Sequence, residues 1–236
     1  SSFGAYEGKN FYYFVEKQKE CSIKNGIIYL DLFTQAGINE YNYNDQIYQL
    51  ELKKSVKEIS RLSFSGCRNL RLIKFNENLE KIGYEAFYNC VSLEEIVIPV
   101  GAEVSEGAFM DCKSLERIVL PPLKGLPKNL FKGCVSLKEV VIPDTVEIIE
   151  DGCFYGCKNL KNIVFPASVK KIGDGAFANC DYLDTVVIPG TVTEFGDYVF
   201  AHCDRLANVT LCDGLTDIGL DTFAHCTSLT DIVIPE

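Results

Sequence analysis

The chain has 236 residues, 47% of them hydrophobic, and a formal net charge of −10 at pH 7. Its hydrophobic content is sufficient for a buried core and excludes a disordered chain. The negative charge argues against nucleic-acid binding and against electrostatic docking on anionic lipid, which both need a basic surface, and no apolar run approaches the about 20 residues of a membrane helix.

The first 46 residues are rich in aromatic side chains and lie outside the repeat described below. Two apolar runs, 11–15 and 27–32, flank a turn signal at Asn25-Gly26. We predict that residues 1–46 form a β-hairpin cap over the open end of the repeats, because the terminal units of repeat proteins must cover their core. An aromatic ligand site is the alternative to this packing role. Residues 1–10 lack the pattern of a secretory signal peptide, which leaves the location open.

Residues 47–236 repeat with a period of 22–23 residues. A phenylalanine marks each of eight copies: Phe64, Phe87, Phe109, Phe131, Phe154, Phe177, Phe200 and Phe223. A cysteine follows three residues later and a leucine six residues later. Such a period predicts a solenoid of stacked coils. Residues 47–59 match the strand and turn positions of a copy, so we predict a ninth, degenerate strand before the eight full repeats.

Each coil is predicted to contain a short strand. Inward apolar residues alternate with outward ones before a proline, as in Val186, Ile188 and Pro189. The corresponding inward pairs are Ile96/Ile98, Ile118/Leu120, Val140/Ile142, Ile163/Phe165, Val209/Leu211 and Ile232/Ile234. These strands are expected to stack into a parallel ladder that ends at the proline, which has no N–H to donate.

After the strand, an apolar pair such as Val169 and Ile172 is expected to turn the chain back, and a short helical turn to carry the phenylalanine inward. The position two residues after each phenylalanine holds only Gly, Asn, Asp or His. These residue types tolerate the left-handed conformation. We therefore predict that this position ends the helical turn.

Eight of the eleven cysteines occupy one repeat position. We expect buried free thiols there, because side chains stacked at least ~4.7 Å apart in parallel do not converge to disulfide geometry. Cys153 is expected to be buried too, since other copies have alanine at its position. Cys212 replaces the usual proline and is expected to be exposed, and the sequence gives no indication for Cys21.

The two histidines, His202 and His225, each precede a repeat cysteine. Such a pair could suggest zinc or a Cys–His nucleophile. Because the cysteines are expected to point inward and the histidines outward, we predict no metal and no catalytic site here. The sequence also lacks G-x-S-x-G, H-E-x-x-H, a phosphate-binding glycine loop and C-x-x-C. We expect neither an enzyme nor a cofactor.

The pattern I-G-x-x-A-F-x-x-C-x-x-L-x-x-I-x-I-P, seen at 82–99 and 172–189, resembles the BspA-like (treponemal-type) class of leucine-rich repeats. The resemblance covers 47–236. It implies an α/β leucine-rich-repeat solenoid with a parallel β-ladder on one face and short helical turns opposite. It also implies a surface or secreted protein of a host-associated microbe that acts as an adhesin or interaction module. The first copy departs from the pattern at Leu62 and Ser63, and the two copies across 100–143 are one residue shorter.

The outward strand positions form two rows. The polar row is Leu72, Glu95, Arg117, Glu139, Asn162, Thr185, Asn208 and Asp231, and the valine row is Lys74, Val97, Val119, Val141, Val164, Val187, Thr210 and Val233. Exposed apolar stripes often mark interaction sites. We predict a binding face made of Glu95, Val97, Arg117, Val119, Glu139, Val141, Asn162, Val164, Thr185 and Val187. The alternative is that valine occupies its row for β-propensity alone.

We therefore expect a non-enzymatic module, extracellular or at the cell surface, that binds a protein or glycan partner, such as host extracellular matrix, through this face. The alternative is a structural spacer that presents other domains of a larger surface protein, and unpaired cysteines keep an intracellular scaffold open. No nucleic-acid partner and no direct membrane insertion are expected. Because no capping unit follows the last copy, we expect the native protein to continue past Glu236 or this end to be covered by oligomerisation.

Overall fold

The computed structural model describes residues 21–24, 27–30, 35–36, 42–215 and 217–234. Sixteen short strands run through these residues and no helix occurs in them. In chain order the strands are β1 (Cys21–Lys24), β2 (Ile27–Leu30), β3 (Gln35–Ala36), β4 (Gln49–Leu52), β5 (Glu58–Ile59), β6 (Leu72–Lys74), β7 (Lys81–Ile82), β8 (Glu95–Val97), β9 (Glu103–Val104), β10 (Arg117–Val119), β11 (Gly125–Leu126), β12 (Ile148–Ile149), β13 (Lys171–Ile172), β14 (Thr185–Ile188), β15 (Glu194–Phe195) and β16 (Asn208–Leu211).

The strands that precede the proline position stack into what we call the front sheet. β2, β4, β6, β8 and β10 pair in this order, β14 pairs with β16, and all these pairs are parallel. The register places equivalent repeat residues opposite each other, such as Ile96 and Ile118. Inward residues are buried and outward ones are not, as the burial alternation of β16 shows. The predicted parallel ladder is confirmed.

The front sheet is interrupted near its middle. Single bridges extend it from Arg117 to Glu139 and from Asn162 to Thr185. Within the continuously described part of the chain, no bridge joins Glu139 to Asn162. The two coils remain joined there by the hydrogen bond from Lys161 N–H to the carbonyl of Lys138, but the outward residues on either side of the interruption do not belong to a paired ladder.

A second column of strands, here called the back sheet, was not predicted. It uses two residues per coil, in the parallel orders β3-β5-β7-β9 and β11-β12-β13-β15. These residues belong to the segment that the sequence predicted only to turn the chain. One residue of each pair is directed inward, so Ile59, Ile82 and Ile149 are fully buried. Except where one of the two sheets is interrupted, each coil is thus held to the next on two sides by strand pairing.

The back sheet is divided between β9 and β11 at a proline. In neighbouring coils the residue after the short strand donates its N–H backward, as Ser105 does to the carbonyl of Ile82 and Glu150 does to that of Leu126. Pro127 occupies this position in the intervening coil and has no N–H to donate. The division falls among the shorter copies, so a local sequence change accounts for it.

The predicted short helical turns are not found in the described residues. Each coil instead has a phenylalanine turn, the five residues centred on the repeat phenylalanine, whose N–H groups alternate in direction. The N–H of Phe64 donates to the carbonyl of Ala86 in the next coil, whereas that of Ser65 donates to Leu62 in its own coil. Because every second N–H is bonded to another coil, the i→i−4 pattern of an α-helix cannot form.

Two residues of every phenylalanine turn are left-handed. The position two residues after the phenylalanine has φ of 58–74° in all eight copies, which confirms its predicted conformation. The position two residues before it has φ of 48–62° and was missed, because it holds residues as unsuited to this region as Leu62, Glu85 and Tyr198. The turn is thus left-handed at both ends, and neither residue ends a helix.

The core consists of columns of identical residues. The seven phenylalanines from Phe64 to Phe200 are fully buried, and the neighbouring rings of the eight-residue column stack with centroids 5.2–6.0 Å apart. The repeat cysteines and Cys153 are buried free thiols, as predicted, whereas Cys212 is half-buried rather than exposed. The prediction that Ile234 points inward is wrong: it is 61% exposed, in the last coil that the structure describes.

The N-terminal strands join both ladders. β1 pairs antiparallel with β2, which pairs in parallel with β4, and β3 pairs in parallel with β5. Both ladders therefore extend before residue 47. Residues 11–15, the first strand of the predicted hairpin cap, lie outside the described residues. The cap and its boundary at residue 46 stay predictions.

Candidate functional site

The valine row lies on the solvent side of the front sheet. Val97, Val119 and Val187 are 47–53% exposed, whereas Val141 is 83% and Val164 is 78% exposed. The two most exposed of these valines flank the interruption of the front sheet. Paired strands are only about 4.8 Å apart, so neighbouring side chains shield each other there, and this shielding is reduced where pairing stops. Within the predicted binding face, the apolar surface is therefore greatest at the middle of the sheet.

The polar row contains an ion pair within the protein, so part of its charge is already neutralised. Glu95 Oε1 and Arg117 Nη2 are 2.8 Å apart, and this is the one pair of predicted site residues that an ion pair joins. Glu139 and Asn162 are exposed, and Thr185 is half-buried opposite Asn208. The predicted residues follow the front sheet, with an interruption between Glu139 and Asn162, rather than converging on one point.

Further ion pairs cross the same part of the front sheet. Lys74 Nζ is 2.6 Å from Glu51 Oε1, and Lys138 Nζ is 2.8 Å from Glu116 Oε2. The hydrogen bond from Lys74 lowers the pKa of Glu51 below its usual value. Such solvent-exposed pairs add little stability. They do, however, neutralise charges on this surface within the protein, so these charges do not need a partner molecule.

A shallow groove of about 790 Å³ runs along one edge of the front sheet. Two predicted site residues, Glu95 and Arg117, line it together with Leu72 of the polar row and with side chains that the sequence did not single out: Arg71, Glu94, Ser114, Glu116 and Ser136. Most of the latter come before the strand, where no alternation indicates which way a side chain points. The groove is polar and open, so it extends the candidate surface without resembling an enclosed substrate pocket.

Pairs of tyrosine and a cation form a second feature that the sequence did not indicate. Arg205 lies 3.9 Å from the ring centroid of Tyr182, and Lys132 lies 5.2 Å from that of Tyr155. Each pair joins neighbouring coils at positions that are not shared by all copies. The repeat pattern does not indicate these pairs, because it contains only residues that recur in every copy.

The repeat cysteines are unsuited to nucleophilic chemistry. Burial raises the pKa of the Cys67 thiol to about 12, and burial likewise raises the pKa of Cys90, Cys112 and Cys134. Catalytic cysteines need the opposite shift, since the thiolate is the nucleophile. From Cys90 to Cys226, each repeat thiol lies 3.2–3.4 Å from the phenylalanine carbonyl of the preceding coil and donates to it. Their role is packing.

The two histidines lie together on the surface. The rings of His202 and His225 are stacked, with centroids 4.4 Å apart and planes 11° from parallel. The in-plane nitrogen lone pairs of parallel rings do not converge on one ion. In the part of the chain that the structure describes, no group of three or more His, Cys, Asp or Glu could hold a metal ion. The described residues also contain no helix that is long and apolar enough to cross a membrane.

Comparison with known proteins gives consistent matches. The family model for the BspA type leucine-rich repeat region matches 34–124 and 124–236, with six copies. No curated protein matches the chain.

Several solved structures have the same fold. A leucine-rich repeat protein from Bacteroides ovatus is 25% identical, with a TM-score of 0.61 over 89% of this chain and 72% of that chain. A leucine-rich cell surface protein from Faecalibacterium prausnitzii is 24% identical, with a TM-score of 0.54 over 92% and 74%. A leucine-rich repeat protein from Eubacterium ventriosum is 18% identical, with a TM-score of 0.55 over 91% and 75%.

Proposed function

Because the chain belongs to the BspA-type leucine-rich repeat family, we propose that it is a non-enzymatic interaction module whose front sheet binds a protein or glycan partner. Leucine-rich repeat proteins generally bind protein partners, and the solenoid fold is typically non-enzymatic. Adhesion to host extracellular matrix is the form of binding that we expect.

The exposed valine row is the observation that supports this proposal. Solvent-facing valines recur along one sheet, with 78–83% exposure at Val164 and Val141. Contiguous apolar surface of this kind often marks an interaction site. A polar row that differs from coil to coil lies beside it and could give the site specificity, since polar contacts fix orientation and register.

We propose that the protein acts outside the cell or at its surface. The matching structure from Faecalibacterium prausnitzii is described as a leucine-rich cell surface protein, and the same setting fits an adhesion module. Buried free thiols are compatible with an oxidising environment, because parallel and enclosed side chains neither pair with each other nor meet an external oxidant.

A binding screen against host extracellular-matrix proteins and glycans tests the proposal. The wild type is compared with a front-sheet variant that carries Val119→Lys, Val141→Lys and Val164→Lys. A control variant adds the same charge elsewhere through Val100→Lys, Ile148→Lys and Leu220→Lys, at positions that are 73%, 37% and 62% exposed.

We expect the wild type and the control variant to bind a common target and the front-sheet variant to lose it, with all three folded by circular dichroism. Equal loss in both variants would show that added charge rather than the front sheet matters. No binding by folded wild-type protein would instead favour a structural spacer that presents other domains.

A further inference from the structure

The charges of the chain are distributed unevenly along the solenoid. Residues 172–236 contain eleven acidic residues and one basic residue, Arg205, whereas residues 1–171 contain 22 of each. The whole net charge of −10 therefore originates in the last coils. This asymmetry is unrelated to the repeat, since the acidic residues occupy many different repeat positions.

Ion pairs follow the same division. Between residues 51 and 181 they join neighbouring coils, the last being Lys158 with Asp181 at 3.2 Å. Beyond Asp181, the described residues contain no ion pair. The carboxylates of Asp184 and Asp231 are exposed on the front side and form no ion pair, although Lys161 lies at the position of Asp184 in the preceding coil. Their charge is available to a partner.

The front sheet consequently has two different surfaces. Toward the N-terminus, valines are about half exposed and the charges are paired, as in Glu95 with Arg117. Toward the C-terminus lies a set of carboxylates that form no ion pair and of highly exposed valines, with the half-exposed Val187 among them. We call this set the C-terminal front surface and define it as Glu139, Val141, Val164, Asp184, Asp231 and Val233.

We propose that the C-terminal front surface docks a positively charged protein segment whose apolar side chains cover Val141 and Val164. This rests on the proposed function, since it names the partner of the same sheet. The valines provide the apolar contact, and the carboxylates set the sign of the partner. A neutral or acidic partner would remove water from these carboxylates without replacing its interactions, which is unfavourable.

The same argument selects a protein segment over a glycan. Neutral and acidic sugars cannot supply the cations that the carboxylates need, whereas lysine and arginine carry a charged group on an aliphatic stem. A segment that alternates such residues with aliphatic ones presents both contacts at once. Electrostatic complementarity would also speed its association and make binding sensitive to salt.

Three labelled eight-residue peptides test this proposal by fluorescence anisotropy at about 0.15 M salt, the physiological ionic strength. One alternates Lys and Val, one alternates Glu and Val, and one alternates Lys and Ser. We expect the dissociation constant of the Lys–Val peptide to be at least about tenfold lower than that of either other peptide. The reason is that each of the other two peptides lacks one of the two contacts.

Two variants and a matched control locate the binding. The variant with Val141→Ser and Val164→Ser should bind the Lys–Val peptide about tenfold more weakly. The variant with Asp184→Asn and Asp231→Asn should bind it severalfold more weakly, and this binding should depend less on salt. The control carries Val100→Ser and Asp217→Asn, which are exposed outside the front sheet, and should bind like the wild type.

Each contrary result has a separate meaning. Equal binding of the Lys–Ser peptide, or indifference to the two valine substitutions, would show general attraction to an acidic protein and overturn the proposal. A target from the matrix screen that is lost in the triple-lysine variant but unaffected by Asp184→Asn and Asp231→Asn would overturn this inference and leave the proposed function intact. A target that the triple-lysine variant still binds would overturn both.

Discussion

From Phe87 to Phe200, each repeat phenylalanine stacks between two others, so its environment is set by neighbouring coils. Phe177 lies 5.2 Å from Phe154 and 5.5 Å from Phe200, measured between ring centroids, and is fully buried. A truncated side chain leaves a cavity that a column of rigid rings cannot easily fill. Its loss should therefore resemble that of a buried aromatic residue in an ordinary core.

Phe177→Ala should lower the free energy of unfolding by about 3–5 kcal/mol. Denaturant unfolding followed by circular dichroism measures this effect. Asp184→Ala is the control, because Asp184 is exposed in the same coil and its substitution should change stability little. Similar unfolding midpoints for the two variants would contradict the assignment of the inward column.

The buried thiols make stability depend on alkaline pH. Burial raises the pKa of Cys67 to about 12 and also raises that of Cys153 and Cys157. The folded protein therefore keeps these thiols protonated at a pH where the unfolded chain ionises them, near its reference pKa of about 8.5. Stability is complete below that pH and is lost as the pH rises toward the folded pKa.

At pH 9.5, each such thiol should cost about 1.4 kcal/mol of unfolding free energy relative to neutral pH. Denaturant titrations between pH 7 and pH 10 measure this slope. A variant with Cys112→Ala and Cys134→Ala should show a shallower slope, because two titrating groups are removed. An unchanged slope would mean that other groups control alkaline unfolding.

At the scale of the structural element, the phenylalanine turn shows why part of the fold could not be predicted. Phe, Cys and Leu at spacings of three residues fit one face of a helix, and they fit equally well a chain of turns with i→i−3 hydrogen bonds. The difference lies in bonds to the next coil, such as Phe64 N–H to Ala86. A pattern within one copy cannot report a bond between copies.

The strands could be predicted to different degrees. The front strands alternate inward and outward residues, and the proline position marks their end. The back strands have two residues each, such as Lys171–Ile172, and two residues are too few to show a period of two. Their pairing becomes visible only when the coils are stacked.

The left-handed end of the phenylalanine turn can be tested at Asn179, which has φ of 59°. Asn179→Gly should leave stability nearly unchanged, whereas Asn179→Val should cost about 1–2 kcal/mol, because a branched side chain is strained in this conformation. Thermal or denaturant unfolding distinguishes the two. An equal effect of glycine and valine would show that the asparagine side chain, rather than the backbone conformation, stabilises the turn.

At the scale of the whole molecule, the candidate site illustrates the same limit. The two outward rows could be placed by sequence, because alternation assigns each residue to a side of the strand. The unequal exposure of Val97 and Val141 could not be predicted from the sequence, since it depends on where strand pairing stops. The sequence also could not predict which charged side chains form no ion pair, because ion pairs such as Glu116 with Lys138 join different copies.

The unequal charge distribution predicts that salt affects the two ends of the solenoid differently. Raising the salt concentration from about 0.01 M to 0.5 M shortens the Debye length from about 30 Å to under 5 Å and screens repulsion among carboxylates. Amide hydrogen exchange should slow about three- to tenfold in residues 172–215. Residues 72–171, where charges are paired, should show little slowing or a slight acceleration.

Hydrogen exchange read by mass spectrometry resolves these segments. A variant with Asp174→Asn, Asp197→Asn and Asp221→Asn serves as control and should respond less to salt, because it has fewer charges to screen. A uniform response along the chain would show that coil stability is not limited by local repulsion.

The hydrogen bonds between coils run in both directions along the solenoid. Each of the first seven phenylalanine turns directs three N–H groups toward the following coil, as Tyr198, Phe200 and His202 do toward Leu220, Thr222 and Ala224. The N–H groups beside the back strands point to the preceding coil, as that of Ser105 does to the carbonyl of Ile82. Peptide dipoles that point in opposite directions oppose each other, unlike the aligned dipoles of a helix. The surplus of carboxylates toward the C-terminus is therefore not offset by the backbone, and side chains make the two ends of the solenoid electrostatically distinct.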